Sequence, residues 1–250
     1  MKIQHLFAMA MVSMAVAGPI ELTTDGQIGA KAKYNPTGPE GKRGICIDII
    51  QAIMKIDPEV KISGFENSKL LPDVEADVEK GNVDLFFGLL KTPEREAKFN
   101  IIEPSIYTVH HKVAVSMADK DLKIDSFDDL RKQDGVIATE LGTAYVKFLE
   151  SQGGLKVDGT SKDPGAIMKK LALRAGGIRF YYQSDINLYD YIHEHKMENS
   201  LVVLPHSFKE EGQYVVFSKK VPDDVRKRIS ADITKLAKSG ELAKIVSAYH

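Results

Sequence analysis

Residues 81–107 constrain the fold of this chain more than any other segment. Residues 83–87 form a short apolar run between two glycines, a pattern typical of a strand that is buried on both faces. Thr92 can cap a following helix and Pro93 can be its first residue, since proline lacks the amide that the first helical turn leaves unpaired. The segment therefore predicts a buried strand that leads directly into a capped helix, with Arg95 in its first turn.

This helix start has the groups that bind an anion. Free N–H groups and the positive end of the helix dipole attract a negative charge, and the Arg95 guanidinium can bind a carboxylate with two parallel bonds. The preceding strand ends in Gly88, and loops after strands are where α/β proteins bind ligands. The alternative is a solvated arginine that pairs with Glu94 or Glu103. We predict a site for a small carboxylate here.

A second helix start of the same kind occurs at residues 140–144, where an apolar strand and Gly142 are followed by Thr143, which opens a helix predicted at 143–151 before Gly153. Thr143 could simply cap its own helix. If the two helix starts face each other, however, their amides and hydroxyl groups would hold one anion from opposite sides. This pairing of Arg95 with Thr143 is the central prediction from the sequence.

Three further residues are candidates for contact with a ligand. Ser184 and Asp185 follow a predicted strand at 178–182 and open a helix. Asp185 could hold a cationic amine, because a desolvated charge needs a partner, or the pair could be an ordinary helix cap. Tyr34, in the loop before the first helix, could stack on a ligand or could be a half-exposed loop aromatic.

The whole chain alternates strands with amphipathic helices, such as those predicted at 45–55 and 72–80. This alternation predicts parallel sheets with helices on both faces and a ligand beyond the carboxyl ends of the strands. No repeat or polar linker divides the chain, so two lobes would have to share crossing segments. We predict a hinge near residues 107–109 and 216–218. Lobe 1 would contain residues 18–108 and 218–250, and lobe 2 residues 109–217.

The N-terminus is typical of an export signal. Lys2 precedes an uncharged stretch at residues 3–16, and Ala15-Val16-Ala17 is a small-x-small cleavage site before Gly18. The stretch is shorter than the ~20 apolar residues of a membrane-spanning helix. We predict cleavage after Ala17 and a periplasmic protein; a buried N-terminal helix or an uncleaved anchor is the alternative.

Composition and motifs exclude several functions. The formal net charge of −1 does not suggest nucleic acid or an anionic membrane as a partner. Cys46 is the only cysteine, so no internal disulfide can form, and its place on the apolar side of a predicted helix makes it an improbable nucleophile. The pairs His110-His111 and His193-x-His195 lack the spacing of a metal site. No phosphate loop or nucleophile elbow occurs, and we expect no metal and no cofactor.

Four segments resemble the periplasmic solute-binding proteins of family 3, the amino-acid receptors of ABC importers. They are residues 44–50, residues 81–107 with Thr92-Pro-Glu-Arg95, the helix start Leu141-Gly142-Thr143-Ala144, and the C-terminal segment 239–245. The resemblance implies a type II periplasmic-binding-protein fold, an α/β architecture of two lobes with a two-stranded hinge and a ligand cleft between them. It also implies that Arg95 and Thr143 hold the α-carboxylate of a ligand, and that a monomer delivers this ligand to an ABC permease in the inner membrane.

The chain departs from the family pattern at the amine half of the site. Leu90 stands where the family usually has a threonine or serine, and Ser184 where it has the amine-binding aspartate. Thr37 stands near an expected aromatic, and Asp84 to Gly88 is one residue shorter than usual. These departures count against a standard amino acid, whereas the carboxylate half of the pattern is intact. We expect capture of a small carboxylate, an amino acid or a related compound, without catalysis. The alternatives are an exported enzyme similar to cyclohexadienyl dehydratases, and a module that senses a ligand for a membrane partner.

Overall fold

A computed structural model describes residues 18–249; the predicted export signal and its cleavage after Ala17 lie outside them. The strands are β1 Ile20–Thr23, β2 Gly26–Gln27, β3 Val60–Ser63, β4 Ser68–Lys69, β5 Leu85–Leu90, β6 Asn100–Ser116, β7 Val136–Glu140, β8 Val157–Ser161, β9 Ile178–Ser184, β10 Leu201–Val203 and β11 Lys209–Phe217. The helices are α1 Ile45–Ile56, α2 Leu71–Lys80, α3 Pro93–Lys98, α4 Phe127–Lys132, α5 Ala144–Ser151, α6 Pro164–Leu173, α7 Asp185–Glu194, α8 Asp223–Lys238 and α9 Glu241–Ser247.

The main sheet has the order β5-β11-β6-β9-β7-β8, and β10 joins the end of β6. Strand β6 is antiparallel to β9, β10 and β11, whereas β7 is parallel to β8 and β9. The expectation of parallel sheets is therefore met only in part: the main sheet is mixed, because β6 and β11 run antiparallel to their neighbours. The α/β class itself is confirmed, since helices and strands alternate along the chain.

Strands β6 and β11 are the longest strands of the main sheet. The first part of β6 pairs with β11, and its last residues pair with β9 and β10. Helices α8 and α9 pack against α1, so the C-terminal segment returns to the N-terminal elements. The crossing segments near residues 107–109 and 216–218 lie in β6 and at the end of β11, and their role as a hinge stays a prediction. The lobe boundaries at 108/109 and 217/218 stay predictions.

The junction of β5 and α3 forms as the sequence predicts, with one difference. Thr92 caps α3 by accepting a hydrogen bond from the Arg95 amide at 3.3 Å, and Pro93 is the first helical residue. The strand, however, continues past Gly88, which has a φ of 84° and faces a register shift in β11. A Cβ there would lie 2.8 Å from the Cys46 sulfur, so both the space and the backbone angle require glycine.

The buried apolar side chains form two clusters, and Cys46 belongs to the larger one. Burial raises the pKa of the Cys46 thiol to about 11, which leaves it protonated and unreactive at neutral pH. Within residues 18–249, no helix has the length and apolar character that crossing a membrane requires.

Candidate functional site

A narrow crevice separates β5 from α5 and encloses a cavity of about 50 Å³. Two walls and one residue of β11, Gln213, line it. The β5 wall consists of Gln27, Lys33, Leu71, Gly88, Leu89, Leu90 and Arg95. The α5 wall consists of Glu140, Thr143, Ala144, Tyr145, Gln183, Asn187 and Tyr191. Five residues that the sequence singled out therefore line one crevice: Gly88, Leu90, Arg95, Thr143 and Ala144.

Arg95 is held firmly in the β5 wall. Its Nη2 donates to Glu75 Oε1 at 2.6 Å and its Nη1 donates to the Leu90 carbonyl at 3.0 Å. Neither Glu94 nor Glu103 is its partner, so the solvated alternative does not apply. The side chain is only 9% exposed, and Arg95 lines the crevice. Because a guanidinium has five N–H donors, two such bonds leave others for a ligand.

The start of α5 offers amides rather than a hydroxyl donor. Thr143 occupies the N-cap position, but its side chain caps no amide; its hydroxyl donates instead to the Glu140 carbonyl at 2.8 Å. Within the described residues, the Ala144 amide has no acceptor. The first turn of α5 therefore presents unpaired N–H groups at the positive end of the helix dipole.

Lys33 brings a second cation into the crevice. Its Nζ donates to the Gly88 carbonyl at 2.9 Å and to Gln213 Oε1 at 3.3 Å. The left-handed conformation of Gly88 lets this carbonyl turn away from the strand pairing. Burial lowers the pKa of Lys33, because desolvation disfavours its charged form.

Glu140 is the acidic group of the crevice. Its Oε1 accepts hydrogen bonds from the Tyr181 hydroxyl and from Gln183 Nε2, both at 2.6 Å. Burial raises the pKa of Glu140, whereas these two bonds and the nearby Lys33 act in the opposite direction. Tyr181 and Gln183 lie two residues apart on β9, so both side chains project from the same face of the strand.

Two amides of the crevice have buried oxygens that lack a donor within the described residues. They are Oε1 of Gln27 on the β5 wall and Oδ1 of Asn187 on the α5 wall. Buried polar atoms normally have partners. These side chains therefore suit a ligand with several polar groups.

Four predicted site residues lie outside the crevice. Tyr34 is 3% exposed, stacks on Phe86 and bonds to the backbone of Phe87, so its ring belongs to the core. Ser184 caps α7 through the Asn187 amide.

Asp185 accepts hydrogen bonds from the backbone amide and ring Nδ1 of His110 and is 4% exposed, so its charge already has partners. Gly142 lies next to the crevice, against Pro72.

The two walls touch at both rims. At one rim, Lys147 of α5 lies 3.4 Å from Glu94 of α3. At the other, the Tyr191 hydroxyl donates to the Gly29 carbonyl at 2.8 Å, and Asp190 accepts from the Ala32 amide at 3.1 Å. The structure therefore represents a closed crevice.

Lys33, Gln183, Asn187 and Gln213 were not predicted, and Glu140 was noted only as part of the segment 140–144. Only Glu140, two residues before Gly142, lies in a segment that the sequence singled out, since the others occur in no recognisable motif. Within the described residues, no three His, Cys, Asp or Glu side chains are grouped as metal ligands.

Comparisons with known proteins agree with this architecture. The family of bacterial extracellular solute-binding proteins, family 3, matches residues 27–250. No curated protein sequence matches the chain. Among solved structures, the amino acid ABC transporter substrate-binding protein AbpA from Streptococcus pneumoniae, bound to L-arginine, is similar with a TM-score of 0.70 at 19% identity, over 92% of this chain and 94% of that chain.

Two other structures are similar at low sequence identity. The GluR0 ligand-binding core in complex with L-glutamate has a TM-score of 0.72 at 16% identity and covers 92% of this chain and 98% of that one. A histidine kinase sensor domain with similarity to periplasmic binding proteins has a TM-score of 0.71 at 15% identity, over 93% and 96%. These likenesses confirm the periplasmic-binding-protein-like fold. Because the family match spans most of its length, the chain belongs to the bacterial extracellular solute-binding proteins, family 3.

Proposed function

We propose that this protein is a periplasmic receptor that captures a small carboxylate, an amino acid or a related compound, and delivers it to an ABC permease. One observation carries the proposal: Arg95 and the unpaired amides of α5 line the same crevice from opposite walls. Both groups stabilise a carboxylate, and only a closed crevice lets one carboxylate contact both.

The contacts at the rims support a mechanism in which the ligand selects the closed state. Each rim contact is a hydrogen bond or an exposed ion pair, so these contacts alone contribute little to closure. A ligand that bonds to both walls adds affinity only in the closed state and shifts the population toward it. The proposed lobes, 18–108 with 218–250 and 109–217, would open about β6 and β11.

The proposed partners follow from the family and its relatives. AbpA, which is similar in fold, is a substrate-binding protein of an amino acid ABC transporter. We propose that this chain works as a monomer with such a permease in the inner membrane, and that it binds its ligand without converting it.

Calorimetry with purified protein tests the carboxylate site. We would titrate L-amino acids and simple organic acids into the wild type and into Arg95→Ala, with Lys98→Ala on the same helix as control. Losing the guanidinium should weaken binding about tenfold or more, since a charge-assisted hydrogen bond contributes roughly 1.5–3 kcal/mol. Unaltered affinity in Arg95→Ala would exclude the proposed role.

A second variant removes an amide without removing a side chain. Proline suits the first helical position, and Thr143 before it already has the extended conformation that a following proline requires. Ala144→Pro should therefore keep the fold and lose one N–H donor, with a roughly tenfold weaker affinity.

The ligand recovered from the protein by mass spectrometry should be chemically unchanged; conversion of prephenate or arogenate would favour the enzyme alternative.

Sensing is the second candidate function, because a histidine kinase sensor domain shares the fold. Under this alternative, the closed receptor would signal to a membrane partner instead of releasing ligand to a permease. Uptake of labelled ligand by cells that lack this protein distinguishes the two functions. Uptake should fall to background if the protein delivers to a permease and stay normal if it senses.

A further inference from the structure

A second cavity, which we call the apolar groove, adjoins the crevice and has a volume of about 180 Å³. Six of its ten lining residues are apolar or glycine, and they come from both sides of the crevice: Ile28, Leu70, Leu71, Pro72, Leu141 and Gly142. The apolar groove and the crevice share four lining residues, Leu71 and Thr143 among them. A ligand bound in the crevice therefore borders on the groove.

Three exposed apolar side chains lie around the apolar groove. Ile28 is 53% exposed, Leu70 42% and Leu141 48%. Only three other large hydrophobic side chains in residues 18–249 are exposed. Single exposed apolar side chains are common, but a contiguous group of them is typical of a binding surface. The groove therefore has the character of a site that an apolar group covers.

The crevice itself has room only for the head of a ligand. Its volume of about 50 Å³ holds roughly three to five water-sized groups, because each of them needs about 10–15 Å³. A carboxylate between Arg95 and α5 fills this space together with its first carbon atoms. The remainder of a larger ligand must leave the crevice, and Leu71, which lines both cavities, makes the way into the groove apolar on one side.

We propose that the apolar groove receives the apolar chain of a carboxylate whose head group is bound in the crevice. The ligand class is then an amphiphilic carboxylate with a chain of several carbon atoms, whose end emerges at the protein surface. This inference rests on the proposed function, since it requires a carboxylate between Arg95 and α5. A chain in the groove contacts Leu70 and Leu141 from opposite sides, so its burial also stabilises the closed state.

Calorimetry with two ligand series tests the inference. We would titrate straight-chain carboxylic acids from acetate to octanoate, and straight-chain L-2-amino acids from alanine to 2-aminooctanoate, into the wild type. The affinity should rise about two- to fourfold for each CH₂ group that enters the groove, because each group loses contact with water.

Two serine variants locate the chain. Leu141→Ser removes an exposed apolar side chain of the groove, and Leu173→Ser changes an exposed leucine at the end of α6 that lines neither cavity. Leu141→Ser should reduce the gain for each CH₂ group to less than about twofold and leave the affinity of the shortest ligand that binds nearly unchanged. Leu173→Ser should behave as the wild type. Arg95→Ala should weaken every member of both series, because it removes the anchor of the head group.

A wild-type affinity that does not change with chain length overturns the inference and leaves the carboxylate site intact; the exposed cluster would then indicate a protein partner of the closed state. A gain for each CH₂ group that survives Leu141→Ser also overturns it, as does octanoate binding that survives Arg95→Ala. If no member of either series binds the wild type, the proposed function fails, and this inference fails with it.

Discussion

The ion pair of Arg95 allows a quantitative prediction, because the chain contains a matched pair beside it. Arg95 and Lys98 are both on α3 and contact Glu75 and Glu79 on α2, at 2.6 and 2.9 Å. The two pairs differ in burial. The Arg95 and Glu75 side chains are 9% and 22% exposed, whereas those of Lys98 and Glu79 are 47% and 46% exposed.

Arg95→Ala should lower the free energy of unfolding by about 2–4 kcal/mol. The charge-assisted bond to Glu75 contributes roughly 1.5–3 kcal/mol and the bond to the Leu90 carbonyl about 1 kcal/mol more. The loss should be about 2 kcal/mol if water hydrates the Glu75 carboxylate in the variant, since this side chain is already 22% exposed. Lys98→Ala removes a solvent-exposed ion pair and should lower the free energy of unfolding by only about 0–1 kcal/mol.

Urea denaturation followed by circular dichroism measures both variants. With a slope near 2 kcal/mol per molar urea, the midpoint of Arg95→Ala should fall by about 1–2 M, and that of Lys98→Ala by less than about 0.5 M. If the two variants lose the same stability within about 0.5 kcal/mol, Arg95 is not buried against Glu75 as described. Its constrained position in the β5 wall would then be wrong.

Three further predictions concern the closed state of the crevice, the conformation of β5 at Gly88 and the titration of Glu140. Tyr191→Phe removes the bond to the Gly29 carbonyl and should weaken ligand affinity about 2–10-fold by calorimetry, whereas the exposed Tyr189→Phe should not. Gly88→Ala should lower the free energy of unfolding by about 1–3 kcal/mol more than Gly29→Ala in urea denaturation, because both have positive φ but only Gly88 is crowded. Burial raises the pKa of Glu140 from its usual value of 4.5, so the folded protein favours the protonated carboxyl group. The stability that protonated Glu140 gives the fold at low pH is therefore lost as the pH rises through this raised pKa. The stability of Glu140→Gln relative to the ligand-free wild type should therefore increase from about pH 4.5 toward pH 7; a difference independent of pH would contradict this.

The sequence alone was sufficient for the local structure around the site. Thr92, Pro93 and Arg95 act within one helical turn, so their capping geometry depends on residues three positions apart. The start of α5 was predictable to within one residue for the same reason, since the predicted helix began at Thr143 and α5 begins at Ala144. The family pattern then implied that the two helix starts share a crevice.

Only the tertiary structure decided the chemistry of the crevice. Lys33 and Gln213 are 180 residues apart in the chain and meet because β11 pairs with β5 beside Gly88. Tyr34 and Asp185 carry suitable groups for a ligand, yet packing directs the first into the core and the second to His110. A side chain type indicates what a residue can bind, but burial and strand register determine which groups face the ligand, and both depend on distant parts of the chain.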